Sequence, residues 1–413
     1  VVHEATPEND HGQESDPAKN RETERCGLMR RMKRTLCLLL ACILLASLTG
    51  CWNYREVDRM DIVAGVAVDK GTSARYKITI EIIDITHDNE LRPRSKIISA
   101  EGESMFDAAR NAIAIGGKRL YWSHAKVIII SQVLAKDGIV KIIDWYSRDS
   151  ETRTDVRLLI SGEDTASEIF TDSVENSDIK SVTMHEILKN EKNLSKAPDI
   201  EIWRFVDKLA SPGVSPIAAV IKLKEENGKK IPEINGSAIF RQDRLIGFID
   251  GEETLDMQMI LNKLEGGVLV QNEQAPEGES IISLEIFENK TKIEPMIETN
   301  HPISINIKTK TDVAIDEIEG PTNFMKDGLR EQLIEDIEET LRNDLEAHIK
   351  YVQSEFGTDI FGFGNKIYKE YPEVWKELSQ NWPVLFKDLT VTVDCTVTIR
   401  NSAMHAETLT IGD

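Results

Sequence analysis

Positive charge is what this chain most lacks. Its 413 residues carry 50 Lys and Arg against 71 Asp and Glu, for a formal net charge of −21. The first fifty residues are balanced at seven of each sign, so the acidic excess lies in residues 51–413. Basic patches attract nucleic acid, and this acidic composition argues against it as a partner. The same acidity argues against electrostatic docking on anionic lipid. Catalytic signatures are missing too. No H-E-x-x-H, G-x-S-x-G, G-x-x-x-x-G-K-[ST] or C-x-x-C occurs. The spacings of a zinc protease, a hydrolase elbow, a P-loop and a redox pair are therefore absent. No repeat with a period of about 20 to 50 residues is present, which excludes a solenoid or propeller.

Long apolar runs are limited to one, Leu36–Leu48, of 13 residues. As a helix it would rise about 20 Å, short of the ~30 Å hydrocarbon core of a bilayer. Arg30, Arg31, Lys33 and Arg34 precede it, so it reads as the apolar centre of an export signal. It ends in Leu48-Thr49-Gly50-Cys51, which resembles the lipobox of bacterial lipoproteins. That resemblance implies a diacylglyceryl group on the Cys51 sulfur and cleavage just before it. Polar residues 1–28 stand ahead of the natural starts Met29 and Met32 and are expected not to be native. The leader is thus 1–50, with 29–50 as the lipoprotein signal peptide. Cys26, Cys37 and Cys42 fall within it, leaving Cys395 as the one thiol besides Cys51. No disulfide framework is expected.

The rest of the chain reads as mixed α+β (α/β in its first part), in three consecutive domains. Residues 51–205 alternate strand and helix. Ile62–Val68 and Tyr76–Asp84 form a hairpin, with Ile97–Glu101 as a third strand. Ser104 opens a helix with Asp107 in the capping-box slot and Gly116-Gly117 at its end. Lys126–Ser131 is an apolar run typical of a strand buried on both faces. Residues 206–275 form a small β-rich domain, with strands at 217–224, 234–241 and 244–250 and a helix over 252–264. Residues 276–413 begin with two long alternating strands, the pattern of an antiparallel sheet with one wet face. A long helix from about Phe324 to Phe356 follows, with Leu329, Leu333, Ile337, Leu341, Leu345 and Ile349 apolar. A step of four turns the stripe by about 40° each time on a 3.6-residue helix, so the helix is expected to wrap across a sheet, or to touch different partners at its two ends, instead of forming a coiled coil.

Few residues suggest chemistry. Gly362-Phe363-Gly364 reads as a positive-φ turn in preference to a phosphate loop. His124, beside Tyr121 and Trp122, reads as a hydrogen-bonded histidine at a domain edge. Cys395 reads as a small buried hydrophobe. The many carboxylates read as a solvated surface. No catalytic residue, metal ligand or cofactor site is assigned, and the protein is expected not to be an enzyme.

Several blocks carry a family likeness. Cys51-Trp52-Asn53-Tyr54-Arg55-Glu56-Val57 leads to Ile62-Val63-Ala64-Gly65-Val66-Ala67-Val68-Asp69. Ala108-Ala109-Arg110 precedes Gly117-Lys118-Arg119-Leu120-Tyr121-Trp122-Ser123-His124-Ala125-Lys126-Val127-Ile128. Gly236-Ser237-Ala238-Ile239-Phe240 is followed by Leu245-Ile246-Gly247. Asp359-Ile360-Phe361-Gly362-Phe363-Gly364 is followed by Tyr371-Pro372 and Trp375. In this order, over most of 51–413, they resemble the Ger(x)C family, the C subunits of nutrient germinant receptors in spore-forming bacteria. Asn53 stands where that family often has Asp, and the tail Ile399-Arg400-Asn401-Ser402 lacks an expected glycine.

The resemblance implies three domains, no enzymatic activity, and integral-membrane A and B subunits as partners. It places the protein on the outer face of the cytoplasmic membrane, which is the spore inner membrane, held by lipid on Cys51. Its role there would be docking or coupling in germination, with the long helix and the Tyr121-Trp122 region as candidate contact surfaces. The alternative is a solute-binding lipoprotein that captures a small nutrient directly. Such proteins use two α/β lobes about a hinge, which the β-rich middle fits poorly. A membrane-held cell-wall enzyme would need convergent carboxylates or a metal set, which the sequence does not display.

Overall fold

The computed structural model describes residues 17–47, 60–86, 92–171, 179–275, 277–298, 302–324 and 328–400. The chain forms two compact units, Val1–Val57 and Asp58–Asp413. The first contains α1 (Pro17–Ser47), a 31-residue helix through the cationic stretch and the apolar run. Among the described residues no helix is long and apolar enough to cross a membrane.

The second unit begins with β1 (Met60–Lys70), β2 (Tyr76–Thr86), β3 (Arg92–Gly102), α2 (Met105–Gly116), β4 (Arg119–Tyr121), β5 (Val127–Ser131), α3 (Gln132–Asp137) and α4 (Val140–Arg148). β6 (Arg157–Ser161), α5 (Glu168–Thr171), α6 (Lys180–Asn190), α7 (Ile202–Ala210), β7 (Ile217–Glu226), β8 (Lys229–Arg241), β9 (Arg244–Ile249) and α8 (Gly251–Ile260) follow. The last stretch comprises β10 (Gly267–Ala275), β11 (Gly278–Met296), β12 (Ser304–Glu319), α9 (Leu329–Tyr351), α10 (Phe363–Glu370), α11 (Pro372–Leu378), α12 (Trp382–Asp388) and β13 (Thr390–Arg400).

The first sheet runs β3-β2-β1-β5-β6-β7-β8-β9, with β4 also on β1. Its centre, β1-β5-β6-β7, is parallel, and antiparallel strands flank it on both sides. Parallel strands need both faces covered. Here α2, α4 and α7 bury Met105, Ala108, Ile142, Trp145 and Phe205 on one face, and α5 and α6 bury Phe170, Met184 and Leu188 on the other. Every residue of β5 is accordingly buried. The segment 206–275 divides its strands: β7, β8 and β9 extend this sheet, while β10 opens the second.

The second sheet, β10-β11-β12-β13, packs against α9. Its first three strands are antiparallel, and β13 joins β12 in parallel. A parallel return needs a long crossover, which α9 to α12 supply. Leu333, Ile337, Leu341, Leu345 and Ile349 are all buried. Glu346 and Glu338 of α9 accept the backbone N–H groups of Val393 and Val397 at 3.0 and 2.8 Å. Eight helical residues rise about 12 Å and four strand residues about 13 Å, so the two spacings match along an antiparallel helix–strand pair. The helix begins at Leu329, later than Phe324, because Gly328 takes φ +87° and its N–H is held by the Glu331 carboxylate at 2.6 Å.

Candidate functional site

Cys51, the one site residue expected from sequence, lies outside the described residues. The other candidates separate. Trp122 is buried edge-on against Trp145, centroids 5.1 Å apart, while Tyr121 and His124 are exposed and edge-on to each other at 5.5 Å. Half of that aromatic pair is core and half is surface. Cys395 is buried, and burial pushes its thiol up to about 11, which leaves it unreactive at neutral pH. Among the described residues no group of three His, Cys, Asp or Glu could hold a metal ion.

The glycine-rich loop at 362–364 is a structural latch. Asp359, 4% exposed, accepts N–H groups from Gly362, Phe363 and Gly364 at 2.7, 3.2 and 2.8 Å and the Trp382 indole N–H at 3.2 Å. Gly362 has φ +76°, as a positive-φ turn requires. The helix that follows then grips the segment between α7 and β7. Asn365 N–H donates to Gly213 O at 2.9 Å, and its side chain donates to Pro212 O at 2.9 Å.

Several other carboxylates also work inside the fold. Glu81, fully buried in β2, accepts Lys180 N–H and Ser181 N–H at 2.9 and 2.8 Å and so caps α6. Asp69 does the same for α5 through Ala166 and Ser167. A surface reading of the acids thus misses a set that satisfies backbone donors.

A second set has no such partners. α8, α9 and β10 enclose an open cleft of about 680 Å³, lined by Asp256, Asp344, His348, Tyr351 and the run Val268–Gln271. At its edge Asp250 and Glu253 cap α8 reciprocally, and Glu252 pairs with Lys196 at 2.6 Å. Burial, then repulsion from Asp344 and the acids at 250, 252 and 253, pushes Asp256 up to about 7. Asp344 is exposed, and partial loss of solvent around its carboxyl raises it as well. His348 is 5% exposed with neither ring nitrogen hydrogen-bonded, and burial lowers it to about 4. The imidazole is therefore neutral at physiological pH. Two repelling carboxylates and a neutral imidazole favour a cation. Sequence reasoning missed this cleft. Asp344 and His348 stand four apart on one face of α9, a visible signal, but Asp256 joins them only through tertiary packing.

The fold has a solved counterpart. It is similar to a chain described as the crystal structure of the GerBC protein, with a TM-score of 0.55 and 22% identity, covering 82% of this chain and 97% of that one. The model for the spore germination protein N-terminal domain matches residues 53–223, and that for the spore germination B3/GerAC-like C-terminal region matches 235–403. Among relatives, spore germination protein B3 of Bacillus subtilis (strain 168) is 23% identical, over 87% of this chain and 95% of its own length. Spore germination protein KC of the same strain is 23% identical over 84% and 90%. Putative spore germination protein YfkR is 24% identical over 92% and 100%. These matches define a spore germination protein built as a mixed α/β scaffold with two sheets. Within that class, the chain belongs to the GerAC family.

Proposed function

We propose that this protein is the lipid-anchored C subunit of a nutrient germinant receptor, and that it docks or couples the other subunits without catalysing a reaction. The observation that carries this reading is the consecutive match of both germination models along the chain. Its partners are then the integral-membrane A and B subunits. The leader ending in Gly50-Cys51 supports export and lipidation. A diacylglyceryl group on Cys51 supplies two acyl chains, which stable anchoring requires. On the outer face of the cytoplasmic membrane the anchor confines the protein beside its partners, so weak contacts suffice.

The test is nutrient-triggered germination in spores that lack other receptors. Deleting the gene abolishes the nutrient response and leaves a receptor-independent trigger intact. Cys51→Ala at equal protein level reproduces the loss. An undiminished response in the deletion refutes the proposal. The cleft favours a second reading, direct capture of a small nutrient. A rise in Tm with one nutrient from a panel supports it.

A further inference from the structure

The cleft between α8, α9 and β10 holds three features that no contact among the described residues uses. Asp256 and Asp344 line it without a hydrogen bond or an ion pair. His348, 5% exposed, reaches the same cleft with both nitrogens unpartnered. An unmade hydrogen bond at a buried polar atom costs about 1–3 kcal/mol, which applies to the buried His348; Asp256 is half-buried and Asp344 exposed, so their carboxylates offer acceptors to an incoming donor. The third feature is the backbone of β10. It is the terminal strand of its sheet, and Val268 to Gln271 line the cleft consecutively. Successive side chains of a strand point to opposite faces, so what four consecutive residues present together is the strand's edge. The opposite edge of the sheet is covered by α9: Glu346 and Glu338 take the Val393 and Val397 N–H groups of β13, and Arg330 donates to Ile399 O. From Val268 to Ala275, β10 has no such cover among the described residues.

We propose that this cleft docks an extended basic segment of a partner polypeptide, which adds to β10 as a further strand and sets a Lys or Arg side chain between Asp256 and Asp344. Strand addition supplies backbone hydrogen bonds, and alternate side chains supply the specificity. The cation relieves the repulsion between the two acids and donates to the bare nitrogen of His348. Val268 and Val270, 46% and 61% exposed, give the incoming strand apolar neighbours. A second copy of this chain does not suit the site, because residues 51–413 carry the full −21. A small organic cation would satisfy the acids but would leave the strand edge unused. The proposal goes beyond the receptor reading, since it names a surface and a partner chemistry that hold whichever complex the protein joins.

The experiment is fluorescence anisotropy of the detergent-solubilised full chain with a labelled peptide of alternating Val and Lys. Its controls are an alternating Val and Glu peptide, the Val and Lys peptide N-methylated at alternate residues, and spermine as competitor. The Val and Lys peptide binds. N-methylation and the pair Asp256→Asn/Asp344→Asn each weaken it by at least about tenfold. The charge-matched pair Glu225→Gln/Glu226→Gln, at the exposed end of β7, leaves it unchanged. Absent binding, or equal loss in the charge-matched pair, overturns the proposal. Equal binding of the N-methylated peptide, with full displacement by spermine, overturns strand addition and makes the cleft a small-cation site. Germination separates this from the receptor reading. A null deletion phenotype with peptide binding intact sinks only the receptor reading, and lost germination without peptide binding sinks only this one.

Discussion

Asp256→Asn should stabilise the protein above neutral pH and leave it unchanged in acid. An aspartate carboxyl ordinarily titrates at 3.8, and in the fold Asp256 is pushed up to about 7. The folded state therefore holds a proton that the unfolded chain has already released between those values. Stability falls wherever the folded state binds more protons. The contribution is intact below pH 4, declines between about pH 4 and pH 7, and is fully lost above. A rise from 3.8 to about 7 corresponds to about 4 kcal/mol. Asp256 is only partly enclosed in a water-open cleft, which screens the charge and reduces the expected gain to about 2–3 kcal/mol. Asparagine has nearly the same shape and no charge, so packing stays constant.

The assay is urea unfolding of wild type and variant at pH 4, 5, 6, 7 and 8, read by tryptophan fluorescence. The stability difference should open from zero to its plateau across that range. Salt separates the causes. Burial is the larger one and repulsion by Asp344 the next; added salt screens repulsion between charges open to solvent and leaves desolvation in place. Most of the difference should therefore survive about 0.5 M salt, roughly three times physiological ionic strength. Asp344→Asn alone should recover the smaller, salt-sensitive part. A difference independent of pH, or an Asn variant less stable at pH 8, would refute the reasoning.

Three further perturbations follow from the same geometry. His348→Leu should protect against acid: burial lowers this histidine to about 4 from an ordinary 6.5, so its neutral-form stability is present above pH 6.5 and falls away towards pH 4, by about 3 kcal/mol. Urea midpoints at pH 4.5 and 8 check this, and an unchanged acid limb refutes it. Asp359→Ala should cost about 3–5 kcal/mol by orphaning three backbone N–H groups and the Trp382 indole; a loss under 1 kcal/mol in urea unfolding counts against the latch. Gly65→Ala should destabilise by about 1–3 kcal/mol, because a Cβ there would lie 2.2 Å from Ser181 Oγ. Ser181→Gly should restore part of that in a double-mutant cycle, and strict additivity would deny the contact.

Local signals carried much of the fold. The N-terminus of α2 is as its sequence reads, with Ser104 Oγ accepting Asp107 N–H at 3.1 Å and Gly117 left-handed at φ +76°. The reciprocal bond goes from Glu103 N–H to Asp107, one residue before the expected donor. The stripe of α9 is buried at every step of four from Leu333, and β11 and β12 pair along nearly their whole length. Long-range pairing was not legible. An alternating strand declares which face is buried and says nothing about its neighbour. Nothing in Thr390–Arg400 alone indicates a parallel partner in β12, and nothing in Ile217–Glu226 indicates that it extends the first sheet. Glu81 meets Ser181 across 100 residues, so a carboxylate in an alternating strand looked like solvated surface.

That last misreading bears on function. A buried carboxylate persists at low cost when backbone N–H groups or cations satisfy it, as they do at Glu81, Asp69 and Asp359. Half-buried Asp256 has no such compensation, the exposed Asp344 near it adds repulsion, and the buried His348 is unpaired. If the cleft served only the fold, apolar or amide side chains would serve better, and Asp256→Asn should be a pure gain. If it takes a basic strand, the same substitution should raise urea stability at pH 8 and weaken the Val and Lys peptide together. Opposite signs in the two assays are the mark of a site kept for binding at the expense of stability. Gains in both would mean that the acids have no ligand of this kind, and losses in both would mean that Asp256 supports the cleft's structure.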